Sequence, residues 1–335
     1  MDAGPHSRTH ARSATPDQGP EALFDVLAGR GAPGPAPALA VLVPCYDEEQ
    51  GIAATVESIA RGLDAALGSR SEADAYEIVV IDDGSTDRSL AAIESLQERL
   101  PIVRVVRHDR NAGYGAALKS GLRATRAEVV AMTDGDGSYP DARLSELLRA
   151  LVDADMVVGS RAWDDPHYPA LRRVPKRLLT LWVSWLVGRR VPDINSGFRA
   201  FRRAAVARFL PLLPDGFSFT TTVTIAALRN GLRVRFVPIA TAPRRGRSKI
   251  RPIRDTLAFL QLVLRTGIYF APLRMLAPLV VFLALASAAS AVYDALVLRN
   301  FTDKTLILLV FTTSTGLFAL LADMLDKRTR QPPMC

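Results

Sequence analysis

The sequence predicts an α/β domain with a mostly parallel sheet, followed by an apolar region near the C-terminal end. Three observations in the 335-residue chain support this fold class. Short Val- and Ile-rich runs alternate with amphipathic helical patterns between residues 38 and 159, polar clusters follow those runs, and two long uncharged apolar segments come after residue 274. Short strands that alternate with helices are typical of a parallel sheet covered on both faces.

The composition excludes several classes of protein. Lys and Arg number 42 against 34 Asp and Glu, 49% of residues are hydrophobic, and the mean hydropathy of +0.13 is high for a soluble protein. The two cysteines, Cys45 and Cys335, are too few for a disulfide framework or a Cys-rich zinc module. The apolar residues are concentrated near the C-terminal end, so we do not expect a plain soluble enzyme.

Residues 1–36 form the first segment, and they are rich in Gly, Pro, Ala and Ser. Their apolar pattern is too weak to offset the entropy cost of ordering, which predicts a disordered N-terminal tail with at most a short helix at Glu21–Ala28. The segment lacks the continuous apolar stretch of a secretory signal peptide. An Arg-bearing transit peptide is the alternative.

Four strand–helix pairs and a fifth strand are predicted next. The pairs are Ala38–Val43 with Glu49–Leu67, Glu77–Ile81 with Ser89–Leu100, Ile102–Arg107 with Ala116–Thr125 and Val129–Thr133 with Ala142–Leu151, and the fifth strand is Met156–Gly159. Ligands of such sheets bind beyond the carboxyl ends of the strands. Those ends carry the polar clusters Cys45–Glu49, Asp82–Asp87, Asp134–Tyr139 and Ser160–Asp165. The sequence therefore predicts a site assembled from several strand ends.

One strand end carries a candidate metal site. Asp134 and Asp136 follow the apolar strand Val129–Met132 and are separated by Gly135. Two carboxylates on a glycine-rich turn can converge on a hard divalent cation such as Mg²⁺ or Mn²⁺. A turn whose carboxylates are satisfied by the chain is the structural alternative. Neither a P-loop nor a dinucleotide-binding glycine motif follows a strand, so a bound nucleotide would be held by carboxylates and metal.

The C-terminal region has the pattern of a membrane anchor. Residues 251–272 are apolar with interleaved charges, which favours an amphipathic helix in the membrane interface. Met275–Tyr293 and Thr305–Ala322 are uncharged and long enough to span a bilayer core, which predicts a two-helix transmembrane hairpin over residues 273–326. A pair of buried core helices is the alternative.

Charge around the hairpin predicts its orientation. Basic residues are dense before it, from Arg244 to Arg274, and again in the tail of residues 327–335, while Asp294–Lys304 forms the predicted connection. By the positive-inside rule, the large domain and the tail are cytoplasmic, at the cell inner (plasma) membrane. Much of the positive charge behind the net charge of +8 then lies where anionic lipid headgroups would be, and no nucleic acid is expected as a partner. Hairpins of this size often associate, so homo-oligomerisation through the hairpin is a further hypothesis.

Six ordered motifs carry a family resemblance. They are VPCYDEE, DDGSTD, NAGYGAALKSG, TDGDGSYP, VVGSR and DINSGFR. In this order they resemble family 2 glycosyltransferases, and more narrowly the polyprenyl-phosphate sugar synthases of the dolichyl-phosphate mannose and glucose synthase group. The resemblance covers residues 38 to about 255 and implies a GT-A-type nucleotide-sugar-binding domain over residues 37–250. The hairpin is similar to that of bacterial members.

The resemblance implies a role for each matching position. The donor nucleotide sugar would contact Pro44, Tyr46, Glu48, Ile81, Asp83, Asp134, Gly135, Asp136, Ser138 and Arg161. Asp134 and Asp136 would hold Mg²⁺ or Mn²⁺, and Ser138 stands where many relatives have a Gln that contacts the metal. The acceptor phosphate would contact Arg172 or Arg173, Ser196, Arg244 and Lys249. The catalytic set would be Asp136, Arg161, Asp193 and Lys249.

The implied reaction moves a sugar from a nucleotide diphosphate sugar to a membrane polyprenyl phosphate, with inversion, to give a β-linked product. Asp83 could accept a hydrogen bond from either uracil or guanine. A processive polysaccharide synthase of the same superfamily is one alternative, but the chain has no Q-x-x-R-W acceptor motif and few predicted spans. A catalytically silent membrane scaffold is the other, and the retention of both Asp134 and Asp136 argues against it.

Overall fold

A computed structural model describes residues 37–68, 75–161, 180–240, 264, 267–269 and 271–330. Within these residues, seven strands form one sheet. They are β1 (Leu39–Cys45), β2 (Tyr76–Asp82), β3 (Val103–Arg107), β4 (Val129–Met132), β5 (Met156–Arg161), β6 (Arg199–Arg202) and β7 (Val234–Ile239). Their spatial order is β3-β2-β1-β4-β6-β5-β7.

The sheet is mostly parallel, as the sequence predicts. Strands β1 to β4 run parallel to their neighbours, β5 is parallel to β7, and β6 is antiparallel to both β4 and β5. After β3 the chain crosses over and adds β4 on the other side of β1, so the order reverses between β1 and β4. This switch point is where ligands of open α/β sheets bind, beyond the carboxyl ends of the strands.

Helices cover both faces of the sheet and continue beyond it. They are α1 (Ile52–Leu67), α2 (Ser89–Arg99), α3 (Tyr114–Ala124), α4 (Leu144–Ala150), α5 (residues 180–187), α6 (Arg203–Ala207), α7 (Phe219–Arg229), α8 (Pro272–Tyr293) and α9 (Asp303–Arg330). One buried apolar cluster lies under α1, α2 and α4, and the other lies under α3, α5 and α7. The two clusters form the core on opposite faces of the sheet.

Several predicted boundaries were wrong in detail. Helix α1 begins at Ile52 and not at Glu49, because the Glu48 carbonyl accepts from the Gly51 and Ile52 amides and closes a turn first. A 3₁₀ turn precedes α4. Strands β6 and β7 were not predicted at all: β6 is four residues long with an arginine at each end, so it has little of the apolar alternation that marks a strand.

The two C-terminal helices fit the predicted hairpin. The candidate spans are Pro272–Leu298 and Asp303–Leu325, with mean hydropathies of 2.2 and 2.0. Only 17% and 11% of their most apolar windows are buried, so they are not core helices of a soluble domain. The predicted connection was too long, because a π-helical turn at Asp294–Leu298 extends the first span. Asp294, expected in the connection, is fully buried.

Some predicted segments lie outside the described residues. These are the tail of residues 1–36, most of the interfacial segment, and residues 331–335. Residues 267–269 of the interfacial segment are helical. The domain boundaries at residues 36 and 250 therefore stay predictions.

Candidate active site

The loops that follow β1 and β2 are tied to each other by hydrogen bonds. The Asp47 amide donates to Ser85 Oγ at 3.1 Å, and the Glu48 amide donates to Ser89 Oγ at 2.8 Å. In return, the Thr86 amide donates to Asp47 Oδ1 at 2.7 Å. Asp47 has a φ of +49°, a left-handed conformation that this network holds in place. The acidic loop after β1 is therefore fixed in position beside the switch point.

Asp83 holds the turn that leads into α3. Its carboxylate lies 2.7 Å from His108 Nδ1 and accepts from the Ala112 and Gly113 amides at 2.9 and 2.8 Å. On the other side of the ring, His108 Nε2 lies 2.8 Å from Ser120 Oγ. Asp83 is nearly fully buried, so it has a structural role in this turn. Its predicted hydrogen bond to a nucleotide base stays a prediction.

The predicted metal pair lies at the switch point. Asp134 Oδ1 accepts a hydrogen bond of 2.8 Å from Tyr114 Oη, and Asp136 Oδ1 accepts one of 3.0 Å from the Ser138 amide. Asp136 is buried, whereas Asp134 is half-buried. Burial, with a contribution from Asp134, raises the pKa of Tyr114 well above its ordinary value. The Tyr114 hydroxyl therefore stays protonated and donates to the carboxylate.

Close backbone contacts place this pair beside the loop after β1. A Cβ on Gly135 would lie only 3.3 Å from the Pro44 carbonyl oxygen and 3.2 Å from Ile52 Cδ1. A Cβ on Gly51 would lie 2.8 Å from the Gly135 carbonyl oxygen. A Cβ at position 135 would therefore require these neighbours to move by a few tenths of an ångström. Close packing of the two loops favours a glycine between the two aspartates.

Gly197 closes the other side of the pair. A Cβ at this position would lie 2.6 Å from Asp134 Oδ1 and 2.9 Å from Tyr114 Oη. The Gly197 amide donates to Tyr139 Oη at 2.8 Å, and the Tyr139 ring stacks on Phe198 with centroids 5.5 Å apart. Burial, more than the nearby Asp134, raises the pKa of Tyr139 to about 12. Two neutral tyrosines and a glycine therefore surround the carboxylate of Asp134.

A third carboxyl group lies near the pair. Asp141 is 4% exposed and accepts a 2.6 Å hydrogen bond from Thr133 Oγ1. Burial raises the pKa of Asp141 to about 7, and the negative charges of Asp134 and Asp136 add to the effect. The sequence interpretation missed Asp141. Its only sequence signal was its place in the predicted loop after β4.

Arg161 and Asp193 form one unit. Arg161 Nε donates to Asp193 Oδ2 at 2.9 Å, and Nη2 lies 3.4 Å from Oδ1. The amides of Arg161 and Asn195 also donate to this carboxylate, at 3.3 and 3.0 Å. Asp193 is fully buried while the Arg161 side chain is 24% exposed. The family resemblance placed both residues in the predicted catalytic set, and the structure brings them into direct contact.

Arg199 carries a buried positive charge under this region. It is fully buried, and it donates to the Ser196 carbonyl oxygen and to Thr224 Oγ1, each at 3.1 Å. Burial lowers the pKa of Arg199, while the nearby Tyr114, Tyr139, Asp193 and Asp134 act in the opposite direction. The burial of Arg199 could not be read from the DINSGFR motif alone.

Two residues that were predicted to contact substrates, Ser196 and Ile81, have fully buried side chains. Ser196 is fully buried, so its predicted contact with an acceptor phosphate would require its hydroxyl to be uncovered. Ile81 is also fully buried, and a Cβ on Gly121 would lie 2.9 Å from Ile81 Cδ1. The Ile81 side chain belongs to the core, and only its backbone at the strand end could face a nucleotide. Tyr46 and Glu48 are half-buried.

The structure describes Cys45 but not four of the predicted acceptor-phosphate contacts. Arg172, Arg173, Arg244 and Lys249, the predicted acceptor-phosphate contacts, lie outside the described residues. Cys45 is buried, and burial raises the pKa of its thiol to about 12. A buried thiol that stays protonated is a poor nucleophile, because the thiolate is the reactive form.

The donor set fits a hard divalent cation. Asp134 and Asp136 offer carboxylate oxygens, which are the ligands that Mg²⁺ prefers and that also suit Mn²⁺. Among the described residues, no group of three or more His, Cys, Asp or Glu side chains is arranged to hold a metal ion. Asp134 and Asp136 would then offer two ligands from the described part of the chain, and water and donor phosphate oxygens could fill other positions.

Comparisons with known proteins identify the family of this chain. A sequence model of the family described as Glycosyl transferase family 2 matches residues 40–210. An undecaprenyl-phosphate 4-deoxy-4-formamido-L-arabinose transferase from Pseudomonas paraeruginosa is 33% identical over 56% of this chain and 56% of its own length. Glycosyltransferase AglD of Haloferax volcanii is 29% identical over 68% of this chain and 36% of its own length. The chain thus spans little more than half the length of the first of these relatives.

Solved structures share the fold. Glucosyl-3-phosphoglycerate synthase from Mycobacterium tuberculosis, crystallised with Mn²⁺, uridine diphosphate and glucosyl-3-phosphoglycerate, aligns with a TM-score of 0.55 at 22% identity. The alignment covers 76% of this chain and 84% of that one. The same enzyme has also been crystallised with Mg²⁺ and uridine diphosphate, and that structure aligns with a TM-score of 0.54. The predicted GT-A-like fold class is confirmed.

Proposed function

The chain belongs to glycosyl transferase family 2, and we propose that it transfers a sugar from a nucleotide diphosphate sugar to a membrane polyprenyl phosphate. Transfer proceeds with inversion and gives a β-linked lipid-phosphate sugar. The catalytic domain faces the cytoplasm at the inner membrane. Mg²⁺ or Mn²⁺ is the cofactor.

One observation carries the proposal. Asp134 and Asp136 lie at the switch point of the sheet, in a chain that also has two candidate membrane helices. The carboxylates suit a metal–diphosphate group, and the helices bring the domain to the surface where a lipid phosphate is found. The Pseudomonas paraeruginosa relative is named as an undecaprenyl-phosphate sugar transferase, and this name supports a polyprenyl phosphate as the acceptor class. The fold neighbours crystallised with uridine diphosphate and Mn²⁺ or Mg²⁺ support the donor and cofactor classes.

The chemistry requires charge stabilisation and positioning. A divalent cation on Asp134 and Asp136 would supply positive charge to the donor diphosphate, which gains negative charge as it leaves. Arg161 stands at the end of β5, and Asp193 fixes the direction of its guanidinium group. An arginine held in this way adds charge at the site without having to reorganise.

The acceptor needs little activation. A phosphate monoester has a second pKa near 6, so it is largely dianionic at neutral pH and is already a nucleophile. It must instead be held close to the donor against the repulsion of the diphosphate. We assign this task to basic residues on the acceptor side, among them Arg172 or Arg173, Arg244 and Lys249. Their positions in the sequence, around a predicted interfacial segment, support this assignment.

A processive polysaccharide synthase is the second candidate. Such an enzyme needs a membrane channel for its polymer, and the described part of the chain contains only two candidate spans. The product distinguishes the two functions, because a lipid-phosphate synthase adds one sugar and stops. A silent scaffold would give no product.

The test uses the full chain in nanodiscs with polyprenyl phosphate, Mn²⁺ and a panel of radiolabelled uridine and guanosine diphosphate sugars. We expect one donor to give a lipid-soluble product with a single β-linked sugar, and chelator to abolish its formation. Asp136→Asn should reduce the rate at least about a hundredfold, the scale of a lost electrostatic group at a catalytic site. The Asn oxygen can still accept from the Ser138 amide, so the thermal midpoint should change little.

Glu94→Gln, on the exposed face of α2, is the matched control and should retain wild-type activity. Full activity of Asp136→Asn, or of the wild type in chelator, would overturn the role of the metal pair. A polymeric product would establish the processive alternative.

A further inference from the structure

An exposed aromatic ring lies beside the proposed metal pair. The Phe217 side chain is 76% exposed, and one face of its ring stacks on Tyr114, with centroids 5.7 Å apart and an angle of 18° between the planes. Tyr114 in turn donates to Asp134 Oδ1 at 2.8 Å. Single exposed apolar side chains are common on protein surfaces, so the informative observation is the position of Phe217, one ring away from Asp134.

The segment that carries Phe217 is held against the start of α3. The Ala116 amide donates to the Asp215 carbonyl oxygen at 3.0 Å. A Cβ on Gly113 would lie 2.6 Å from the same oxygen, so the two backbones are in close contact. Lys119 Nζ lies 2.8 Å from Asp215 Oδ1. Phe217 therefore presents the outer face of its ring from a segment that the domain holds in place.

Asn195 lies between the two charged groups of the site. Its backbone amide donates to Asp193, the residue that holds Arg161. Two residues further along the chain, Gly197 lies against the Asp134 carboxylate. The Asn195 side chain is exposed, although the residues on its C-terminal side are buried. It therefore stands at an opening between Asp134 and Arg161.

The first turn of α7 brings the aromatic ring and the amide together. Thr221, in this turn, donates from Oγ1 to Asn195 Oδ1 at 2.5 Å, and Phe217 lies two residues before the helix begins. Because Oδ1 is used in this way, Asn195 Nδ2 is left to donate outwards. An aromatic face and a polar donor thus border the opening beside Asp134.

We propose that Phe217 and Asn195 bind the sugar of the donor, with a pyranose ring stacked on Phe217 and one of its hydroxyl groups accepting from Asn195 Nδ2. Stacking sets the plane of the sugar, and Asn195 requires an acceptor at one edge of it. The inference rests on the proposed function and deepens it, because it assigns residues to the sugar and not to the nucleotide or the metal.

The chemistry of the opening fits a sugar ring. A pyranose has an apolar face of C–H groups that can lie on an aromatic ring, and hydroxyl groups at its edge that need hydrogen-bonding partners. The sugar of a nucleotide sugar is joined directly to the diphosphate, so a diphosphate held near Asp134 and Arg161 brings the sugar close to both. A polyprenyl tail is the other apolar candidate, but it has no group that would pair with Asn195.

Equilibrium binding tests the contact without acceptor or transfer. The full chain in detergent with Mn²⁺ is titrated in a calorimeter with UDP-glucose and UDP, and in parallel with GDP-mannose and GDP. The pair that the wild type binds is then used for the variants. The measured quantity is the ratio of the affinity for the nucleotide sugar to that for its own nucleoside diphosphate. This ratio cancels any effect of a variant on the metal pair or on nucleotide binding.

Phe217→Leu should lower this ratio about two- to tenfold, the scale of one aromatic contact. Phe217→Tyr keeps the ring and should keep the wild-type ratio. Asn195→Ala should also lower the ratio about two- to tenfold, through the lost hydrogen bond. Leu212→Ala is the matched control, since Leu212 is a 40% exposed apolar residue of the same segment, and it should leave the ratio unchanged.

Three results would overturn the inference. An unchanged ratio in Phe217→Leu would do so even if both affinities fell together, because the ring would then act only by supporting Tyr114. An equal loss in Phe217→Tyr and Phe217→Leu would show that the ring is not the contact. A loss confined to the KM for polyprenyl phosphate would assign Phe217 to the lipid.

The same titrations separate this inference from the proposed function. If the wild type bound neither nucleotide in the presence of Mn²⁺, the proposed function would fail and the inference would fail with it. Nucleotide binding with a ratio that does not depend on Phe217 would overturn the inference alone.

Discussion

At the residue scale, the hydrogen bond from Tyr114 Oη gives the carboxylate of Asp134 a defined orientation. The bond is 2.8 Å long, and the close approach of Gly197 limits movement of the carboxylate on the other side. The Tyr114 ring also stacks on Phe217, with centroids 5.7 Å apart. The proposed metal ligand is therefore held by contacts from two distant parts of the chain before any cation binds.

Tyr114→Phe should weaken metal binding while leaving the fold intact. The ring and its stack on Phe217 are kept, but the charge-assisted hydrogen bond to Asp134, of about 1.5–3 kcal/mol, is lost. We expect the Mn²⁺ concentration at half-saturation, measured by electron paramagnetic resonance, to rise about tenfold or more, as 1.4 kcal/mol corresponds to a factor of ten. Phe217→Leu is the control that perturbs the stack alone. Equal Mn²⁺ affinity in Tyr114→Phe and wild type would contradict the positioning role.

Asp141 should make stability depend on pH. Its pKa is about 7 in the folded chain against an ordinary value of 3.8, so between these values the folded state binds a proton that the unfolded state has lost. Stability therefore falls as pH rises through this window, and it levels off above about 7. The full difference is at most about 4 kcal/mol, at 1.36 kcal/mol per pH unit.

Asp141→Asn removes this titration but can still accept from Thr133 Oγ1. In chelator, the thermal midpoint of the variant should exceed that of the wild type by an amount that grows from about pH 4 to pH 7 and then stays constant. Asp153→Asn, at an exposed position, is the control and should show no such trend. A constant difference between Asp141→Asn and wild type at all pH values would count against the raised pKa.

At the element scale, polar contacts join the two candidate spans. Ser287 Oγ lies 2.9 Å from Thr312 Oγ1, and Ser290 Oγ lies 2.6 Å from Thr305 Oγ1. Nearer the turn, buried Asp294 accepts through Oδ2 from the amide and hydroxyl of Thr302, both at 2.7 Å. Hydroxyl groups between helices are typical of membrane-helix packing, where water cannot compete for them.

Asp294→Ala should loosen the hairpin. Three donors would lose their acceptor, because Thr305 Oγ1 also donates to Asp294 Oδ2 at 2.8 Å, and interhelical bonds of this kind contribute about 0.6–2 kcal/mol each. We expect a lower thermal midpoint in detergent and faster proteolysis near the turn, with unchanged donor binding. Asp294→Asn keeps an acceptor and should lose less, while exposed Asp303→Asn should be neutral. An Asp294→Ala chain as stable as wild type would show that the cluster does not hold the turn.

At the scale of the whole molecule, charge around the hairpin predicts its topology. Arg274 lies in the first turn of the first span, and Lys327, Arg328 and Arg330 come at the end of α9. On the side of the turn, the basic residues are Arg299 and Lys304, with Asp303 beside Lys304. By the positive-inside rule, we expect the turn to face out and the catalytic domain to face the cytoplasm, where nucleotide sugars are made.

Cysteine labelling in intact cells tests this topology. In the Cys45→Ala, Cys335→Ser background, Asn300→Cys in the turn should react with a membrane-impermeant maleimide. Gln97→Cys, on the exposed face of α2, should react only after the cells are opened. The reverse pattern would place the catalytic domain outside and would remove the proposed access to cytoplasmic donors.

The sequence by itself determined the local elements and the location of the candidate site. Strands β1 to β5 and the helices between them follow from apolar periodicity, which depends on neighbouring residues alone. The two candidate spans were predicted from their uncharged length, and Asp134 and Asp136 from their position directly after an apolar strand. The acidic loops at the carboxyl ends of β1 and β2 were also predicted, because parallel strands bring these ends to one edge.

Only the tertiary structure decided which distant residues meet. Strand β6 exists because β4 and β5 both pair with it, and its own four residues carry no strand pattern. Arg161 and Asp193 are 32 residues apart and Tyr114 and Asp134 are 20 apart, so no local period links them. The capping of α5 by Arg274 joins residues almost 90 positions apart. Such contacts depend on how the whole chain closes its loops, and a periodicity of two or 3.6 residues holds no information about that closure.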